Sequence, residues 1–74
     1  MINLHRVNAD GTLDVGYRMP GPQPFSIVEI RGETFTVLEV TNGRYRGEGG
    51  GTCTLRVAPG RVSLTDHLRK LALP

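Results

Sequence analysis

The 74 residues leave room for one domain and one small core, and a single cysteine, Cys53, excludes an internal disulfide. Nine basic against seven acidic residues give a net charge of +2 scattered along the chain, which permits nucleic-acid binding without demanding it. No stretch approaches the roughly 20 apolar residues of a membrane span, and Asn3, His5 and Arg6 interrupt the N-terminus, so a soluble, intracellular chain without a signal peptide is expected.

Residues 2–8 and 12–18 flank Asp10-Gly11, a strong hairpin signal. A two-residue turn there sets Leu4 opposite Tyr17, Arg6 opposite Val15 and Ile2 opposite Met19. Ile2, Leu4, Leu13, Val15 and Tyr17 then share one face, while Asn3, His5, Val7, Asp14 and Arg18 occupy the other. A hairpin over 2–18 is therefore predicted. Residues 19–24 contain Pro20, Pro22 and Pro24, which lack ladder donors, so this stretch reads as a stiff crossover.

Phe25-Ser26-Ile27-Val28-Glu29-Ile30 recurs class for class as Phe35-Thr36-Val37-Leu38-Glu39-Val40. Both copies are β-branched and aromatic, and Arg31-Gly32-Glu33-Thr34 between them predicts a second hairpin over 25–41. With the loop centred on Gly32-Glu33, Ile30 faces Phe35 and Val28 faces Val37. The opposite face carries Ile27 with Leu38, and Phe25 with Val40. Apolar residues thus appear on both faces. Either the strands bend through a bulge near Val37-Leu38, as a small barrel requires, or the second face is buried by a partner chain.

Asn42-Gly43 carries a further turn signal, with Tyr45 then opposite Val40 and Arg46 opposite Glu39. Residues 42–51 read as a glycine-rich loop, either mobile or pressed against another backbone. Residues 52–58 alternate as a strand with Cys53, Leu55 and Val57 inward. Ser63 and Asp66 form a capping-box-like start to a helix over 63–73. Leu64, Leu68 and Leu71 line one face of that helix, which is too short to stand alone and must plug the barrel or dock on a neighbour. The expected architecture is mainly β: a small meander β-barrel or sandwich of five to six strands with a short C-terminal α-helix, all in one domain.

Chemistry-bearing residues are sparse. Cys53 sits at an inward strand position and reads as a buried, inert thiol. One cysteine with the distant His5 and His67 does not make a metal site. The glycine run lacks the Lys-Ser/Thr of a phosphate loop and precedes a strand, so no nucleotide is bound through it. No catalytic residue, metal or cofactor is expected. Arg44, Tyr45 and Arg46 stand out as an arginine-flanked aromatic beside the glycines, a pattern that can stack bases and neutralise phosphates on small barrels.

From Ile30 to Gly60 the chain resembles the small tailed-phage neck proteins of the lambda-type head–tail joining family. The matching residues are Gly32, Phe35, Val37 and Val40, then Gly50, Gly51, Cys53, Leu55, Val57 and Gly60. The helical N-terminal region of that family is replaced here by the Asp10-Gly11 hairpin. The resemblance implies a non-enzymatic β-barrel that docks onto protein partners in a homo- or hetero-oligomeric assembly, as a head–tail, decoration or accessory protein in the virion or host cytoplasm. Arg44, Tyr45, Arg46, Leu68 and Leu71 are the expected partner-binding residues. The alternatives are a small regulatory nucleic-acid-binding barrel and a phage inhibitor of a host protein.

Overall fold

Five antiparallel strands form one sheet: β1 (Ile2–Val7), β2 (Leu13–Arg18), β3 (Ile27–Ile30), β4 (Glu33–Gly47) and β5 (Gly50–Pro59). The computed structural model describes residues 2–63 together with Thr65, Leu68 and Arg69. The helix expected over 63–73, including Leu64 and Leu71 of its stripe, lies largely outside these residues. Among the described residues, no helix is long and apolar enough to cross a membrane.

The strand order is β1-β2-β5-β4-β3. This is neither the expected meander nor a sandwich. Three consecutive hairpin-linked strands, β3 to β5, lie side by side, and β2 joins the far side of β5 in a Greek-key arrangement. The proline crossover makes this possible by carrying the chain from β2, inside the sheet, to β3 at its opposite edge. The edge strands β1 and β3 approach each other without pairing, so the sheet curls into a half-barrel.

In the first hairpin, Ile2 pairs with Tyr17, Leu4 with Val15 and Val7 with Leu13. The turn is one residue longer than expected: the Asn8 amide donates to the Thr12 carbonyl at 2.8 Å and the Gly11 amide to the Asn8 carbonyl at 3.0 Å. One extra residue, His5, bulges between Leu4 and Arg6. The two departures displace the register at the open end by two residues, which keeps the expected faces of Ile2 and Leu4 against Val15 and Tyr17. Between bulge and turn the displacement is one residue, so Val7 stands opposite Leu13 and Arg6 opposite Asp14, the reverse of the faces expected there.

The second hairpin turns on Arg31-Gly32 rather than Gly32-Glu33, with φ of 52° and 80° at the two central residues. Both values are positive, as a type I′ turn requires. Ile30 therefore pairs with Glu33 and Val28 with Phe35. Beyond this point the anticipated bulge is present, between Val37 and Glu39. The turn expected at Asn42-Gly43 is absent. β4 runs on through it to Gly47, and the reversal falls at Glu48-Gly49, where φ is 55° and 77°. Residues 42–51 are thus mostly strand, and Tyr45 pairs with Gly51 rather than Val40.

Leu13, Val15, Ile30, Val37, Cys53 and Leu55 are buried, with Ile2, Leu4, Tyr17, Val28, Phe35, Val40 and Val57 packed around them. Ile27, on the opposite face, is 41% exposed, so the apolar second face is wet at that position. Thr36 is fully buried. Its hydroxyl donates to the Gly60 carbonyl at 2.7 Å and accepts from the Val62 amide at 2.8 Å, tying the segment after β5 back across β4.

Replacing Thr36 with valine keeps the volume and removes both bonds. Gly60 is exposed and Val62 half-buried, so water can take over part of the lost bonding, and a cost of about 1 kcal/mol is expected. In a domain of this size that lowers Tm by roughly 4–8 °C. A circular-dichroism melt of Thr36→Val that superimposes on the wild type would show the tie is energetically idle.

Candidate functional site

The face of the sheet opposite the core is polar and forms an open groove of about 1090 Å³. Its position follows from strand register. On β5, Thr52, Thr54 and Arg56 alternate with the inward Cys53 and Leu55. On β2, Asp14 alternates with Leu13 and Val15. On β4, Glu39 pairs with Arg56, Thr41 with Thr54 and Arg44 with Thr52, placing all three on the groove side. Arg46 at the next bulge, His5 and Arg6 from β1, and Asn8, Asp10 and Thr12 around the first turn also line it.

One end of the groove is held by a hydrogen-bond network. Asp14 accepts from the Asn8 side-chain amide at 3.0 Å and the Thr54 hydroxyl at 2.8 Å. Asn8 in turn accepts from Arg6 Nε at 2.7 Å, and Asn42 donates to Thr54 at 3.3 Å. Arg6 Nε also lies 3.5 Å from Asp14, an ion pair with the arginine side chain 74% exposed. At the turn, Asp10 accepts from the Thr12 hydroxyl at 2.6 Å and the Thr12 amide at 3.0 Å. These bonds, chiefly from Thr12 for Asp10 and from Asn8 and then Thr54 for Asp14, hold both carboxyls below their ordinary value of 3.8.

The other arginines of the groove lie outside this network. Among the described residues, Arg6–Asp14 is the only ion pair, so Arg44, Arg46 and Arg56 make no direct contact with a carboxylate, although the Arg56 charge contributes to lowering the Asp10 pKa. Glu39 stands opposite Arg56 in register without pairing to it. Glycine fixes the geometry beside them. A Cβ at Gly51 would press on the Arg44 carbonyl oxygen and come within 2.7 Å of the Tyr17 hydroxyl, so no side chain fits where β5 passes between β2 and β4. Gly50 and Gly51 are therefore pressed against other backbone, whereas Gly47 and Gly49 have open space around their Cα atoms.

Of the expected partner-binding residues, Arg44 and Arg46 come together on the groove. Tyr45 is 68% exposed but stands opposite Gly51 on the other face, separate from its flanking arginines. Leu68 is 55% exposed, and Leu71 lies outside the described residues. Arg6, Arg56 and His5 were not among the expected contacts. Strand alternation already set Arg56 outward, but only the β4–β5 register brings it beside Arg44. Cys53 is buried, and burial pushes its thiol pKa up, which disfavours the reactive thiolate. Among the described residues, no group of three or more histidine, cysteine or acidic side chains is arranged to hold a metal.

No family model, curated protein or solved structure shows significant similarity to the chain. The neck-protein resemblance therefore rests on residues 30–60 alone.

The lowered Asp14 pKa has a definite sign. A carboxyl depressed in the folded state contributes stability that is present above 3.8 and lost as pH falls through the lower folded value. Asp14→Asn should flatten the fall of Tm with acid below about pH 4, leaving the part due to Asp10. Parallel acid profiles for variant and wild type would show that the network at Asp14 does not discriminate the charged form.

Proposed function

We propose that this chain is a non-enzymatic β-barrel-type binding module that docks onto protein partners within a larger assembly, as a structural or accessory protein of a tailed phage. The observation that carries the docking reading is the composition of the β4 arm near the Glu48-Gly49 turn. Arg44 and Arg46 are exposed on the groove side with no ion pair among the described residues, and the large Tyr45 ring, on the opposite face of the arm, stands mostly in solvent. Tyrosine and arginine are the residue types most enriched where protein interfaces concentrate their binding energy. The arm is paired to β5 from Arg44–Thr52 through Tyr45–Gly51 to Gly47–Gly50, so little ordering cost attends its use. Support for the phage setting is the residue-level resemblance over 30–60, and the virion or host cytoplasm is the corresponding location.

The free arginines also favour a second reading, a small nucleic-acid-binding barrel. Salt separates the two. Affinity for duplex DNA carried by two arginines falls with a log–log slope of roughly −0.9 per phosphate contact. Docking onto protein predicts no appreciable nucleic-acid binding at physiological salt. It also predicts a species heavier than the 8.1 kDa chain, either alone or with its partner, that is lost on Tyr45→Ala in light-scattering sizing. Tight, salt-sensitive DNA binding abolished by joint Arg44→Ala and Arg46→Ala substitution would replace the docking reading with the second one.

A further inference from the structure

We infer that the polar groove takes an extended, acidic protein segment, whose carboxylates are held by Arg44, Arg46 and Arg56. The inference rests on the docking reading and names the chemistry of the partner. Charge complementarity is the first argument. The three arginines have no ion pair among the described residues, whereas Asp14 is already engaged by Arg6, Asn8 and Thr54. Each free guanidinium offers a planar fork that matches a carboxylate bidentately.

Between the arginines the floor is threonine. The hydroxyls of Thr41 and Thr52 make no hydrogen bond within the described chain, and both line the groove. They can donate to or accept from a peptide backbone laid along β4 and β5. Glu39, on the same surface, can accept a peptide N–H.

A polyphosphate chain fits less well. Duplex DNA carries one negative charge per ~1.7 Å of axis, and such a uniform charge density would be driven onto Glu39 as well as the arginines. Single strands require aromatic platforms for their bases. Tyr45 and Tyr17 do not line the groove, and the one ring that does, the His5 imidazole, lies against Gly16. A second copy of the chain is also a poor occupant, because both copies carry net charge +2.

The test is fluorescence anisotropy on the full chain, with a labelled poly-glutamate peptide and an oligothymidylate carrying the same number of charges. The peptide should bind more tightly than the oligothymidylate and weaken as salt rises. Arg44→Gln and Arg56→Gln should each weaken peptide binding by about two- to fivefold, the range for exposed ion pairs. Glu39→Gln should tighten it by removing a like charge, a gain that unfolding cannot mimic. Absence of peptide binding, or binding indifferent to these substitutions, would overturn the inference. With Tyr45-dependent assembly intact, that failure would leave the docking reading standing. Tighter binding to oligothymidylate than to peptide would overturn both.

Discussion

Val37 and Val40 are three residues apart, and a regular strand cannot turn both into the same core. The structure places Val37 opposite Val57 and Val40 opposite Leu55, both inward, by inserting Leu38 as an extra residue. Most of the fold's sidedness follows from this accommodation. Without the bulge, Glu39 would point into the core and Val40 into water, a register no half-buried sheet tolerates. Two later bulges, between Thr41 and Arg44 and between Tyr45 and Gly47, keep the long strand paired to β5 and leave Arg44 and Arg46 outward. Bulges also increase strand twist and bend, which accounts for a fifteen-residue strand curling instead of projecting flat.

The same bookkeeping of faces couples the two hairpins. β2 and β5 pair from Leu13–Leu55 to Arg18–Gly50. Their groove-side contacts are polar and specific, running from Asn8 through Asp14 to Thr54 and Asn42. Their core-side contacts are apolar until Gly51, where the Tyr17 ring occupies the space a side chain would need. Wide residues on one strand are thus met by glycines on the next. Gly50 and Gly51, which look permissive in isolation, are a packing requirement of the curled sheet.

Much of this was legible in the chain. The faces at the open end of the first hairpin, the crossover, the inward Cys53, Leu55 and Val57, and the bulge near Leu38 all follow from alternation and its breaks. The two largest misreadings share one cause. Asn42-Gly43 has the local chemistry of a tight turn, yet β5 supplies a pairing partner for the whole of β4, and that long-range ladder outweighs the local preference. Once Asn42 and Gly43 are absorbed as a bulge, the reversal passes to Glu48-Gly49, where a glycine again permits the left-handed backbone. The strand order escaped for a related reason. The proline segment shows that the chain crosses over, but only the β2–β5 pairing shows how far. The groove was illegible because its arginines lie on three strands whose neighbours the sequence does not specify.

One layer of sheet with six buried apolar side chains is a small core, and a chain of this size without a disulfide ordinarily gains stability from metal or association. The groove belongs only to the folded register, because unpairing β4 from β5 scatters Arg44, Arg46 and Arg56 along an extended chain. A partner that binds this surface therefore binds the native state alone, and stabilises it by RT ln(1 + [L]/Kd). The polar face and the thin core are in that sense one design. The bulges that turn valines inward turn arginines outward, so the change that completes the core also creates the surface through which an assembly can reinforce it.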